Sequence, residues 1–134
     1  VRSHGRKYGS SVPLFLYLAL HNTHAPIEAP QRFVDLYSFS DPKENNFNAQ
    51  VSFVDETVKN LTLALKANGM WNNTLFVWTT DNGAPVGVAG SNHPLKGGKV
   101  TNWEGGCRVP TFVSGGVLPE KMRGREVEGI AHIA

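Results

Sequence analysis

The sequence predicts an α/β domain with part of a mostly parallel central sheet flanked by helices, because an amphipathic helix lies between two strongly apolar runs. The first run, residues 14–20, is almost continuously hydrophobic, which is typical of a strand covered on both faces. The second run, residues 74–80, is rich in the β-branched and aromatic residues that favour strands. A strand, a helix and a strand in this order predict a right-handed crossover between parallel neighbours.

The helix between the two runs is predicted from apolar residues that recur every three or four positions from about Phe47. These residues are Val51, Val54, Val58, Leu61 and Leu65. Gly69 is suited to ending the helix, because glycine readily adopts the left-handed conformation that follows a helix.

The connecting segments differ in composition. Residues 1–12 are polar and basic and are expected to form a loop. Residues 21–45 contain Pro26, Pro30 and Pro42, so we expect a long functional loop there with at most a short helix at residues 30–37. Residues 84–106 are rich in glycine and are predicted to form an ordered loop over the sheet's carboxyl edge, before a last strand at 109–113.

Composition and charge exclude several classes of protein. The 134 residues are 40% hydrophobic and 18% charged, as expected for one globular domain or a piece of one. The net charge of +2 is spread along the chain, so we expect no nucleic-acid partner. No apolar stretch approaches the roughly 20 residues of a membrane span. One cysteine, Cys107, cannot form an internal disulfide.

Polar side chains follow both predicted strands. His21 and His24 follow the first strand, and Asp81 and Asn82 follow the second. Because the carboxyl ends of parallel neighbours share one edge of a sheet, these residues are expected to lie on one rim. The oxygens of Asp81 and Asn82 suit Ca²⁺ or Mg²⁺, but two ligands are too few for either ion, so further ligands must come from elsewhere.

Basic side chains in the loops are candidates for contact with an anionic substrate. His24 lies just beyond a strand, a good position for a general acid or for donation to an anion. Lys99 follows two glycines that let the backbone approach an anion, and its ammonium can neutralise developing charge. His21 has the same chemistry but can instead cap the strand. A solvated loop charge is the simplest interpretation of Lys96 and Lys99.

Five short motifs occur in order along the chain and together carry a family resemblance. They are residues 18–20 with 24–26 (LAL and HAP), 69–74 (GMWNNT), 80–83 (TDNG), 94–99 (PLKGGK) and 103–106 (WEGG). Over nearly everything after residue 12, the chain therefore resembles the type I sulfatases of the alkaline phosphatase superfamily, most closely the arylsulfatase B-like enzymes. The resemblance implies an alkaline phosphatase-like fold and hydrolysis of sulfate esters.

The resemblance also implies roles for four residues. Asp81 and Asn82 would be two ligands of a Ca²⁺ ion that also contacts the sulfate of the substrate. His24 would lie near the leaving-group oxygen and Lys99 would bind the sulfate, so both are expected to be catalytic and substrate-binding. The resemblance assigns no role to His21, His93, Lys96 or Glu104, and we interpret Glu104 as a structural hydrogen-bonding residue.

Two family features are absent from the sequence. Sulfatases carry an aspartate pair near the N-terminus and a Cys-x-Pro-Ser-Arg motif whose cysteine becomes the formylglycine nucleophile. Cys107 does not match this motif, because its proline comes one place too late and it lies downstream of Asp81. We interpret it as a core or near-surface thiol. Residues 129–134 resemble a point where sulfatases continue, so we interpret residues 1–134 as the central to C-terminal portion of a catalytic domain, inactive in isolation.

Compartment and substrate are expected from weaker features. Asn60 and Asn72 begin glycosylation sequons, which with the resemblance predict a lysosomal or secreted glycoprotein. The expected substrate is a sulfated small molecule or glycan. Two alternatives stay open: a phosphate or phosphonate ester hydrolase of the same superfamily, or a non-catalytic sulfatase-like protein that binds sulfated glycans or a partner.

Overall fold

The computed structural model describes residues 1–131, in which helices and strands are mixed as the α/β prediction requires. The elements are α1 (Arg2–Tyr8), α2 (Gln31–Val34), α3 (Pro42–Ala67), β1 (Phe76–Thr79), α4 (Glu104–Cys107) and β2 (Thr111–Ser114), with 3₁₀ turns at Trp71–Asn73 and Glu120–Met122. Of the segment 129–134, for which a continuing element was expected, residues 132–134 lie outside the described residues.

The predicted amphipathic helix is α3, and it begins five residues before Phe47. Asp41 caps it, because the Asp41 carboxylate accepts a hydrogen bond from the Lys43 amide at 2.8 Å. Pro42 occupies the first helical position, where the missing N–H has no partner to lose. The expectation of a loop through residue 45 is therefore wrong for its last four residues. Gly69 follows the helix with a φ of 67°, as the sequence predicted.

A small hydrophobic core lies between α2 and α3. Phe33 of α2 is buried together with Ala49, Val54 and Leu65 of α3. The rings of Phe33 and Phe53 meet edge to face with centroids 5.7 Å apart, a favoured aromatic arrangement. The short helix expected within residues 30–37 is thus present as α2, and it anchors the loop before α3.

Strands β1 and β2 pair in antiparallel register, with Phe76 opposite Ser114 and Thr79 opposite Thr111. The Phe112 ring stacks on the Phe76 and Trp78 rings, with centroids 6.0 and 5.4 Å apart. The hydroxyls of Thr79 and Thr111 lie 2.8 Å apart across the pair. The pairing of β1 with β2 determines where residues 80–84 leave the sheet.

Residues 14–20 do not form the predicted parallel strand. The segment pairs with no other strand among the described residues, and the Phe15 and Tyr17 side chains are 92% and 82% exposed. Hydrophobic composition shows that a segment is suited to burial, whereas a strand needs a second backbone to pair with. In residues 1–131 the paired strands are β1 and β2, which are antiparallel.

The N-terminal residues form a helix rather than the expected loop. In α1, the Gly5 amide donates to the Val1 carbonyl at 2.8 Å, and the Gly9 amide donates to the Gly5 carbonyl at 2.9 Å. His4 Nε2 reaches the Val12 carbonyl at 2.9 Å and ties the helix to the following segment. Within residues 1–131, no helix combines the length and apolar character needed to cross a membrane.

Candidate functional site

The centre of the candidate site is a contact between His24 and Lys99. His24 Nε2 lies 3.0 Å from Lys99 Nζ, and His24 Nδ1 lies 3.0 Å from the Ala25 carbonyl oxygen. A carbonyl can only accept, so Nδ1 carries the proton. A lysine ammonium can only donate, so Nε2 presents its lone pair to Lys99. The arrangement therefore pairs a neutral imidazole with a lysine cation.

A second imidazole shares the same carbonyl. His21 Nε2 lies 3.2 Å from the Ala25 carbonyl oxygen, and the His21 and His24 rings meet edge to face with centroids 5.8 Å apart. A carbonyl oxygen has two lone pairs, so both rings can donate to it. This contact helps to fix the His24 ring, and it places His21 beside the pair rather than at the end of a paired strand.

The loop that carries Lys99 is fastened to the segment after β1. The Lys99 amide donates to the Ala84 carbonyl at 3.1 Å. Asn92 fastens the same point, because its side chain accepts from the Ala84 amide at 2.9 Å and donates to the Ala84 and Gly97 carbonyls at 2.8 and 3.1 Å. The loop predicted for residues 84–106 is therefore ordered, but its last three residues belong to α4 and not to a loop.

Two glycines allow the segment after β1 to approach the backbone of residues 98–106 closely. A Cβ added at Gly83 would overlap the Gly105 carbonyl oxygen, and one added at Gly98 would overlap the Ala84 carbonyl oxygen. The Gly83 amide donates to the Gly106 carbonyl at 3.1 Å. The absence of side chains is thus what lets the strand end lie between the Lys99 loop and α4.

Asp81 and Asn82 follow β1 and present oxygen donors. Asp81 Oδ1 accepts from the Asn82 amide at 2.9 Å, and Asn82 Nδ2 donates to the Gly83 carbonyl at 2.9 Å, which leaves the Asn82 side-chain oxygen available. Thr80 Oγ1 is buried beside them without a hydrogen-bond partner in the described part of the chain. This donor chemistry fits a hard cation such as Ca²⁺.

The acidic, histidine and cysteine side chains of residues 1–131 do not by themselves form a metal site around Asp81. In that part of the chain, no three His, Cys, Asp or Glu side chains come together in a group that could hold an ion. That further ligands come from elsewhere stays a prediction. Asp81 and Asn82 lie in the segment that, through Ala84, is hydrogen-bonded to the Lys99 backbone.

The residues to which no catalytic or metal-binding role was assigned occupy other positions. Lys96 Nζ lies 3.9 Å from the centroid of the Trp103 ring, a cation–π contact. Glu104 Oε2 accepts from Arg108 Nη1 at 3.4 Å in an exposed ion pair on α4. Four further residues are exposed at the surface: Asn60, Asn72, His93 and Cys107.

The hydrogen-bonding roles of Gln50 and Asn92 were not predicted from the sequence. Gln50 is 1% exposed, whereas Val51, which was assigned to the apolar face of α3, is 46% exposed. The signal was available, because position 50 precedes Val54 and Val58 by four and eight residues and so lies on the buried face. A polar residue in such a stripe indicates a specific hydrogen-bonding task.

The comparisons with known proteins place the chain among the sulfatases. The family model described as Sulfatase matches residues 7–131, so the chain belongs to that family. It is 40% identical over 122 residues to arylsulfatase J of Mus musculus, which covers 90% of this chain and 20% of that protein. It is 35% identical to N-acetylgalactosamine-6-sulfatase of Mus musculus, covering 75% of this chain and 19% of that protein.

Solved structures agree with this assignment. Ps i-CgsB in complex with k-i-k-neocarrahexaose superimposes with a TM-score of 0.74 at 35% identity, over 81% of this chain and 24% of that one. The likeness confirms the α/β fold class. The chain spans about a fifth of the length of the curated relatives it matches. Sulfatases are generally metal-dependent enzymes.

Proposed function

We propose that the protein containing these residues is a sulfuric ester hydrolase of the arylsulfatase type and that residues 1–134 are part of its catalytic domain. The observation that carries the proposal is the 3.0 Å contact between His24 Nε2 and Lys99 Nζ in a chain of the Sulfatase family. A cation beside an imidazole is suited to bind an anionic ester and to donate a proton to its leaving group.

Lys99 has the chemistry of the anion-binding residue. Its ammonium has three donors, of which the contact with His24 uses one. The remaining donors are available to a sulfate oxygen, and the positive charge favours the negative charge that develops on the ester oxygens during cleavage. The Lys99 backbone is held at Ala84 and its ammonium is oriented by the contact with His24, so part of the ordering that binding requires is already present.

His24 has the chemistry of the leaving-group residue. Its Nδ1 is committed to the Ala25 carbonyl, so only Nε2 can exchange a proton with a substrate. In the free site Nε2 faces the Lys99 ammonium with its lone pair. For Nε2 to act as a donor it must take up a proton from solvent as the anionic ester enters, so that Nε2 and the ammonium both donate to the ester instead of facing each other. Transfer of that proton from Nε2 to the departing alcohol would neutralise the leaving group as the S–O bond breaks, and Nε2 would return to its unprotonated state.

Asp81 and Asn82 are proposed as the share of a Ca²⁺ site that this chain contributes. The support is their oxygen chemistry, their position at the end of β1 and their backbone connection to Lys99 through Ala84. When bound, such an ion supplies Lewis-acid polarisation of the ester, and the formylglycine expected by resemblance supplies the nucleophile.

The substrate is proposed to be a sulfated small molecule or glycan. Support comes from relatives whose names refer to carbohydrates, N-acetylgalactosamine-6-sulfatase and the structure solved with a neocarrahexaose.

A lysosomal or secreted glycoprotein is proposed for the same chain, because the sequon residues Asn60 and Asn72 are both exposed. Removal of both sequons should abolish the mass lost on glycosidase treatment of the secreted protein.

The experiment that tests the function compares two esters with the full-length protein in ¹⁸O-labelled water. We expect nitrophenyl sulfate to be cleaved much faster than nitrophenyl phosphate, with the label in sulfate and not in nitrophenol, because the S–O bond breaks. Preferred cleavage of the phosphate would establish the phosphatase alternative. Cleavage of neither ester, with retained binding of sulfated glycans, would establish the non-catalytic alternative.

A further inference from the structure

Gln50 connects the helix α3 to the loop that carries His24. Its side chain is 1% exposed and is the largest fully buried side chain in the described part of the molecule. Gln50 Nε2 donates to the carbonyl oxygens of His24 at 3.2 Å, Pro26 at 3.1 Å and Glu28 at 3.1 Å. One buried amide therefore holds three alternate residues of the loop.

The orientation of this amide is determined by its surroundings. Three carbonyl oxygens face the Nε2 atom, and a side-chain oxygen in its place would meet three acceptors without a donor. The amide has two hydrogens for three acceptors, so the carbonyls share them. An apolar side chain of the same size at position 50 would leave these carbonyls without their donor on a buried side, which costs free energy.

The two members of the His24–Lys99 pair are held by separate anchors. Lys99 is fixed through its amide to Ala84 and through Asn92. The His24 ring is fixed at Nδ1 by the neighbouring Ala25 carbonyl, which moves with the same loop. The contact that ties the His24 backbone to a rigid helix is the one from Gln50. Displacement of this loop would move the imidazole away from the ammonium.

We propose that Gln50 is a positioning residue that sets the His24 imidazole against Lys99, a role that rests on the proposed sulfatase function. Gln50 lies behind the loop and acts through its backbone, so it does not contact the ester. Small errors in the placement of a proton donor lower the rate of the step that uses it, and the effect falls mainly on kcat.

Two substitutions in the full-length protein test this role. Gln50→Met keeps the side-chain length and removes the donor, whereas Gln50→Asn keeps the amide but withdraws it by one methylene. We expect kcat for nitrophenyl sulfate to fall at least about tenfold in Gln50→Met, with a smaller fall in Gln50→Asn and a KM change below about threefold. Crystal structures should show the distance from His24 Nε2 to Lys99 Nζ lengthened beyond hydrogen-bonding reach in Gln50→Met.

Two controls separate positioning from stability. Gln31→Met makes the same chemical change at an exposed glutamine that donates to Asp35, and it should leave kcat unchanged. Val54→Ala destabilises the same helix by removing buried methyl groups. It should lower the melting temperature and leave kcat nearly unchanged. A Gln50→Met variant that behaves like Val54→Ala, with kcat and the pair intact, would overturn the proposal.

The results also distinguish the positioning role from the proposed function. If the wild-type protein cleaves no sulfate ester but the pair separates in the Gln50 variants, the function fails and the positional role stands. If the wild-type protein is active and both variants keep kcat and the 3.0 Å contact, the positional role fails and the function stands. Should Gln50→Met not fold, the kcat and crystal structure of Gln50→Asn decide the matter.

Discussion

His24 and Lys99 are 75 residues apart in the sequence, yet His24 Nε2 and Lys99 Nζ lie 3.0 Å apart. Neither residue reaches the contact through its own local structure alone. The Gln50 side chain of α3 donates to the His24 carbonyl, and the Lys99 amide donates to the carbonyl of Ala84, which follows β1. The candidate site is therefore a product of how α3, the strand end and the glycine-rich loop pack together.

The first prediction concerns coupling between the two members of this pair. His24→Ala and Lys99→Ala should each lower kcat/KM of the full-length protein by roughly 10²–10⁴-fold, the usual contribution of a positioned proton donor or anion ligand. Because each group orients the other, the double variant should lose much less than the product of the single losses. Steady-state kinetics on nitrophenyl sulfate measures the cycle.

The matched control for that cycle is Lys96→Ala. Lys96 carries the same charge in the same loop but stacks on the Trp103 ring. We expect less than about a threefold change in kcat/KM, since an exposed charge away from the reacting atoms contributes little. A loss in Lys96→Ala equal to that in Lys99→Ala would show that general loop charge, and not a specific contact, supports the activity.

The second prediction concerns the close approach at Gly98. A methyl group there would overlap the Ala84 carbonyl, so Gly98→Ala should lower the free energy of unfolding by about 2–3 kcal/mol. Gly69→Ala is the control, because its Cβ meets open space and only the φ of 67° is strained, at a cost of about 1 kcal/mol. Urea unfolding of the full-length protein compares them, and equal losses would contradict the predicted overlap.

The third prediction concerns Asn92, whose side chain bonds to both the amide and the carbonyl of Ala84. Asn92→Ala should cost about 1–3 kcal/mol, because it leaves partly buried backbone groups unpaired. Hydrogen exchange at the Lys99 amide should accelerate, since that amide also donates to Ala84. Asn102→Ala, at an exposed asparagine of the same loop, should change neither quantity.

Local elements were predictable from the sequence because their signals are local. The apolar repeat and the glycine at position 69 define α3, and the run after residue 74 defines β1. The start of α3 was missed because Pro42 was interpreted as a helix breaker, although after Asp41 it occupies the position where proline is tolerated.

Long-range relationships were not predictable in the same way. The motifs identified His24, Lys99, Asp81 and Asn82 as candidates, but no spacing in the sequence measures the distance between His24 and Lys99. Residues 14–20 have the composition of a buried strand, yet pairing depends on a partner backbone that composition does not identify. The Gln50 contact depends on the path of the loop over α3 and needed the structure as well.

The last prediction concerns the metal. Millimolar Ca²⁺ should stabilise the full-length protein, and the stabilisation grows with the ratio of free ion to its dissociation constant. Asp81→Ala removes a carboxylate oxygen and should weaken the affinity at least about tenfold, which lowers the calcium-dependent stabilisation by about 1.4 kcal/mol. Asp55→Ala, at an exposed aspartate on α3, removes the same charge elsewhere and should keep the full stabilisation. Thermal unfolding with EDTA and with added Ca²⁺ measures all three proteins. Equal calcium stabilisation of Asp81→Ala and the wild-type protein would exclude Asp81 from the ligand set, whereas a loss confined to Asp81→Ala would assign the end of β1 to the metal site.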